Sequence, residues 1–265
     1  FEKSVRSLQR DDFERYRNTH YYAENIVVTV AGGIDVKKAE ELTKKYFSGL
    51  KASGKSEEKK YRFRLNQKSP RVFVKNKKNE QGHFILGFLA GERGSGERYK
   101  EAVLASILGG GMSSRLFTEV RERRGLAYSV RTSLDRFMDT GEFASYAGVD
   151  VSKAKEAIKV VLEEHYKIAG NKHGMTSKEL KKAKEYIKGH LALSLEDTRD
   201  VNSFYGENEL MLGKIETPDE VFAGIDKVTI EDVVGRAKVL FVPEKLNLAI
   251  IGPYNSAVAF EKLLL

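Results

Sequence analysis

The chain has 265 residues, 41 % of them hydrophobic and 10 % aromatic, enough to bury one large core or two modest ones. Without a single cysteine it has no disulfide framework, no thiolate zinc site and no cysteine nucleophile, and the compartment stays open. The net charge of +8 is carried mainly by lysines scattered among glutamates, as at Lys37-Lys38, Lys44-Lys45 and Lys181-Lys182, and no apolar run reaches membrane-spanning length, so neither a nucleic acid nor a membrane is expected as a partner.

The N-terminal Phe1-Glu-Lys-Ser lacks a starting methionine and an apolar leader and reads as the interior of a longer protein. Residues 11–20 read as the end of a helix, 25–31 (NIVVTVA) as a buried strand, Gly32-Gly33 as a turn and 36–50 as an amphipathic helix. Residues 51–69 are charged and poor in aliphatics, which predicts a linker with a short strand at 61–65. Strands follow at 71–75 and 83–89, then a helix over 98–108. Gly109 to Gly111 ends that helix, and Ser113 or Ser114 is placed to cap a second one running to Gly125. Beyond it lie strands at 126–130 and 142–149, helices over 152–168, 177–194, 201–212 and 230–240, and a last strand at 246–251.

That last strand exposes a repeat. An ungapped shift of 220 positions aligns Asp12 with Asp232, Ile26 with Leu246, Val28 with Leu248, Val30 with Ile250 and Gly32 with Gly252. One helix-strand-glycine module therefore occurs twice, which places the start of a first copy roughly 150 residues upstream of Phe1.

Few residues invite chemistry directly. His20, His83, His165, His173 and His190 include no pair spaced i, i+4 for zinc, and the segment VLEEH ending at His165 reads as a surface Glu-His pair. Gly91 to Gly96 is a turn without the ending of a phosphate loop, and no nucleophile elbow is present. Taken bare, Arg121 is one of four arginines on a short helix, with Arg115, Arg123 and Arg124, and Tyr128 is a strand aromatic.

The stretch 108–130, LGGGMSSRLFTEVRERRGLAYSV, nonetheless resembles, residue for residue, a signature of the insulinase/pitrilysin zinc peptidases, the family that includes mitochondrial processing peptidase. The family's arginine-x6-tyrosine pair falls on Arg121 and Tyr128, and in the family it belongs to the half that faces the metal site without containing it. The family's zinc sequence, His-x-x-Glu-His, occurs nowhere in the 265 residues. The resemblance implies an α+β clamshell of two homologous units, each an antiparallel-rich sheet with helices on one face. Residues 1–50 would then be the remnant of a truncated first, zinc-bearing unit, 51–69 the linker and 70–265 the second, metal-free unit.

The function so implied is the C-terminal portion of a zinc metalloendopeptidase, inactive by itself. Peptide hydrolysis at zinc creates a negative oxygen that a phenol O–H can stabilise, and a guanidinium fork can hold an extended substrate by its carbonyls. Tyr128 is accordingly the expected catalytic residue and Arg121 the expected substrate-binding one. Zinc would belong to the intact enzyme, with none bound by this chain. The expected partners are a peptide substrate and a zinc-bearing half or partner subunit, with a homodimer as a further option. The alternative is a non-catalytic partner subunit of a heterodimeric processing peptidase.

Overall fold

The computed structural model of the chain describes residues 1–52, 63–170 and 174–264. In chain order come helices α1 (Glu2–Ser7), α2 (Arg10–His20) and α3 (Val36–Phe47), strands β1 (Arg71–Asn76) and β2 (Gln81–Ala90), and helix α4 (Arg98–Gly109). A π-helix (Phe117–Glu122) leads into strands β3 (Ala127–Arg136) and β4 (Gly141–Asp150). Helices α5 (Ala154–Ala169), α6 (Ser177–Ser194), α7 (Thr198–Leu212), α8 (Pro218–Asp226) and α9 (Ile230–Leu240) follow, then strand β5 (Asn247–Gly252) and helix α10 (Val258–Leu264). No helix among the described residues is long and apolar enough to cross a membrane.

The chain divides into two compact units, one of residues 1–52 with 192–217 and the other of residues 63–170, 174–191 and 218–264. In the larger unit the five strands form a mixed sheet in the order β1-β5-β2-β4-β3, with β1 parallel to β5 and the other pairings antiparallel. Alternate residues point to opposite faces of a strand, and one face is mostly apolar. Phe84, Leu86 and Phe88 of β2, Phe143, Ala147 and Val149 of β4, and Leu248 and Ile250 of β5 are buried there. They share one core with Leu104 and Leu108 of α4, Ile158 and Val161 of α5, and Val233 and Ala237 of α9. The opposite face leaves Phe73, Ile85 and Ile251 exposed at 63, 39 and 40 %, so the helices cover one side only. This is an α+β unit of antiparallel-rich sheet with helices on one face, the class expected from the sequence.

Within that core lies a directed chain of hydrogen bonds. His165 on α5 has Nδ1 2.6 Å from the Val161 carbonyl, Nε2 3.0 Å from Ser145 Oγ on β4, and Ser145 Oγ stands 2.9 Å from Thr132 Oγ1 on β3. A carbonyl only accepts, so Nδ1 carries the proton, the neutral Nε2 accepts from Ser145, and Ser145 accepts from Thr132. The surface Glu-His pair expected for VLEEH is therefore corrected: His165 is fully buried, ringed by Phe88, Phe143 and Phe241 with centroids 4.7–6.2 Å away, because α5 turns this side toward the sheet. Burial pushes its pKa from 6.5 down to about 4, against the opposing bond to Val161. Between those values the unfolded chain takes a proton that the folded one refuses, so stability falls as pH drops through this window, by about 3 kcal/mol in all. Denaturant unfolding at pH 7 and pH 4.5 should show this loss in the native chain and a smaller one in His165→Phe, and equal losses would contradict it.

The smaller unit has no buried residue among its described positions, and Phe13, Tyr16, Val30 and Val36 are 53–70 % exposed. Residues 25–31, expected as a buried strand, form no strand here; Asn25 ends a 3-10 turn and 26–31 run on without pairing. Their extended backbone passes α7, where the Thr29 hydroxyl lies 3.5 Å from the Asn202 carbonyl and Gly206 leaves room for the Thr29 side chain. The helix expected over 36–50 ends at Phe47, and α7 begins at Thr198 rather than at 201 because Asp197 accepts from Arg199 N–H as its cap. Of the short strand expected at 61–65, residues 61 and 62 lie outside the described residues and 63–65 form none.

The repeat at 220 positions survives in geometry. Helices α2 and α9 both have 11 residues, start 220 positions apart and open with a capping box, Gln9 with Asp12 in one and Thr229 with Asp232 in the other. Each is followed by a single 3-10 turn, Ala23–Asn25 or Pro243–Lys245. Past these the copies diverge, because 247–252 sit between β1 and β2 whereas 26–31 have no neighbouring strand among the described residues. Strand propensity is realised only by pairing, and an unpaired extended segment leaves its amides to water. Hydrogen exchange should therefore be orders of magnitude faster at 26–31 than at 247–251, and comparable protection of both would overturn this assignment.

Candidate substrate-binding site

The segment from α4 to β3 is shaped by glycines. A Cβ at Gly109 would collide with the backbone of Thr132 and Arg131, so only glycine lets the end of α4 lie against β3. The expected cap is not made: Ser114 Oγ is buried without a partner, and the turn is closed instead by Ser114 N–H donating to the Gly111 carbonyl. The helix is then wound wide, with Arg123 N–H reaching back five residues to Thr118 (2.9 Å), a π-type geometry often found beside functional sites. Gly125 ends it at φ +57°, and Leu126 N–H donates to the Val120 carbonyl at 2.8 Å.

This winding presents Arg121 and Tyr128 on two elements packed against each other, the π-helix and β3. Val120 faces the core while Arg121 beside it is exposed, its guanidinium lying 4.8 Å over the Phe117 ring. Tyr128 sits where the β3–β4 register slips between Ala127 and Ser129, a bulge that re-aims a side chain, and it is 62 % exposed. Among the described residues its hydroxyl has no hydrogen-bond partner.

The four arginines of this segment are now distinguishable. Arg115 holds Glu179 at 2.8 Å, Arg123 holds Glu119 at 2.6 Å, and Arg124 stands 3.9 Å from Glu119. Burial pushes the Glu179 carboxyl up, but hydrogen bonds from Arg115 and Thr176 outweigh it and hold the group below its ordinary value. Arg121 alone of the four has no carboxylate among the described residues, so its fork of donors is free for a carbonyl or carboxylate from outside.

A family profile, the Peptidase M16 inactive domain, matches residues 7–187. The chain belongs to the M16 peptidase family. The M16 chain is 36 % identical over 253 residues to the uncharacterized zinc protease YmxG of Bacillus subtilis, covering 95 % of this chain and 60 % of that protein. Its fold matches a protease from Helicobacter pylori with a TM-score of 0.87 at 22 % identity, covering 96 % of this chain and 61 % of the other. It also matches a chain of complex III2 from Candida albicans with a TM-score of 0.83 at 21 % identity, covering 99 % and 64 %. This M16 chain thus spans about 60 % of the length of the curated relative, and the likeness to insulinase/pitrilysin peptidases read from residues 108–130 stands as a family membership.

Zinc is named in the relatives, and the described residues of this chain do not fit it. Among the described residues no group of three or more His, Asp or Glu is gathered where a metal ion could be held, and both nitrogens of His165 already have protein partners.

Proposed function

We propose that this chain is the substrate-holding, metal-free portion of a zinc metalloendopeptidase, with hydrolysis dependent on a zinc-bearing unit outside it. The observation that carries the reading is the contrast at 115–124, where three arginines are engaged by carboxylates and Arg121 is left exposed, with no carboxylate partner among the described residues. Arg121 grips backbone carbonyls of an extended peptide, and the Tyr128 hydroxyl donates to the oxygen that turns negative as the peptide carbonyl is attacked. The exposed apolar residues of the 1–50 remnant are then the surface that the rest of the first unit covers. The residues of the linker, 51–69, join it to the 70–265 unit.

In the complete protein, Arg121→Ala should raise KM about tenfold with little change in kcat, since the lost interaction is made to substrate and transition state alike. An unchanged KM would remove Arg121 from substrate binding. The description of this domain as inactive favours a second reading, a partner subunit that pairs with a separate zinc-bearing chain. The sequence of the complete protein distinguishes them, because His-x-x-Glu-His within it means a peptidase in one chain.

A further inference from the structure

We propose that Arg131, Tyr146 and His83, on the open face of the sheet, form a subsite for an acidic side chain of a bound peptide. This rests on the reading of the chain as a substrate-holding unit and names what part of the substrate it selects. The strand register places Phe73, Ala249, Ile85, Tyr146 and Arg131 in one row across all five strands. At one end of that row the Arg131 guanidinium lies 4.6 Å over the Tyr146 ring. The Tyr146 hydroxyl is in turn fixed 2.9 Å from His83 Nδ1 on β2. The two rings lie nearly parallel, 16° apart, so the platform beneath the guanidinium is held by a hydrogen bond as well as by packing. Gly148 leaves room for this arrangement, since a Cβ there would stand a tight 3.2 Å from both the Tyr146 hydroxyl and Ser129 Oγ and 3.4 Å from His83 Nδ1.

What makes the cluster a site is that its charge is unanswered. Arg136 and Arg236 share Glu101, and Arg115 and Arg123 have their own carboxylates, but Arg131 has no ion pair or hydrogen bond among the described residues. The acids of β3 and β4 on its own face stand four residues along, Asp135 opposite Glu142 at one end and Asp150 at the other, each on the order of 13 Å or more away. Arg71 and Lys75 on β1 share that open face and add positive charge to it, while Ile85 and Phe73 continue the row as an apolar floor. A planar guanidinium already oriented on an aromatic ring suits bidentate capture of a carboxylate, with little side-chain freedom left to lose. Tyr128 lies three positions before Arg131 on the same strand, roughly 10 Å away. An extended peptide with its scissile bond at Tyr128 would thus bring to Arg131 a side chain two or three residues from that bond.

The test is equilibrium binding to this 265-residue chain of paired fluorescent peptides, amidated at the C-terminus and identical except for Glu or Gln at one scanned position. At one position the Glu peptide should bind about three- to tenfold tighter, a range set by the modest worth of an exposed ion pair of good geometry. Arg131→Ala should bring that ratio to one. Tyr146→Phe, which keeps the ring and loses the bond to His83, should reduce it without abolishing it. Arg131 is exposed, so its substitution should leave the melting temperature unchanged. Equal affinities at every position in the native chain, no binding of either peptide, or a preference that persists in Arg131→Ala would each overturn the proposal. No turnover is involved, so such a failure leaves the role of Tyr128 standing. Conversely, an active Tyr128→Phe enzyme would remove that role without touching the acidic preference.

Discussion

Replacing Glu101 with alanine should lower the stability of the larger unit by about 3–5 kcal/mol, the cost of leaving buried cations without their anion. Glu101 is completely buried on α4. Its Oε1 accepts from Gly91 N–H at 2.9 Å and Arg236 Nε at 3.0 Å, and its Oε2 accepts from Arg136 at 3.0 Å. One carboxylate thus ties α4 to the end of β2, the end of β3 and α9. Arg136 and Arg236 keep side-chain exposures of only 18 and 15 %. Burial pushes the Arg136 pKa down while Glu101 opposes it, so without Glu101 only the penalty remains. At about 2–4 °C per kcal/mol for a unit of this size, the melting temperature should fall by roughly 6–20 °C. Glu101→Gln, which keeps the shape and an acceptor, should fall less. A change of a degree or less in Glu101→Ala, read by a probe of the sheet such as near-ultraviolet circular dichroism, would show that the network contributes little.

Much of this fold is legible in the sequence where periodicity and local chemistry decide. The apolar alternation of β2 and β5, the apolar helices α4 and α5, and the capped helix α9 are readable because each buries a face fixed by its own period. The 26–31 segment misleads for the same reason. Its pattern is that of β5, and only the neighbours β1 and β2 make β5 a strand. Strand β3 runs six residues beyond the expected Val130, since Thr132, Leu134 and Arg136 turn inward between polar outward positions and dilute the apolar signal. Helix α8 escapes notice because its nine residues bury only Ile225.

The site shows the same division. The spacing of Arg121 and Tyr128 is visible in the chain, but the isolation of Arg121 among its neighbours is not. Glu179, which engages Arg115, lies 64 residues away, and no local rule connects them. The π-winding of 117–122 and the bulge at Tyr128 likewise have no signature in composition. His83, Tyr146 and Arg131 come from three strands and meet only through register. A hint was available in the alternation of β4, where Tyr146 is the one aromatic residue on the face it shares with Glu142, Ala144, Gly148 and Asp150.

The central claim is that this metal-free chain supplies a transition-state contact through Tyr128, and steady-state turnover of Tyr128→Phe in the complete protein tests it most directly. Tyr128 is exposed and its hydroxyl holds nothing among the described residues, so losing the oxygen should leave folding intact. If that hydroxyl donates to the oxyanion, its loss should cost about 2.7–4 kcal/mol, roughly a hundred- to a thousandfold in kcat with KM little changed. A Tyr128→Phe protein with native kcat would contradict the claim, leaving the fold and the family as they stand and the proposed role of Arg121 to its own test.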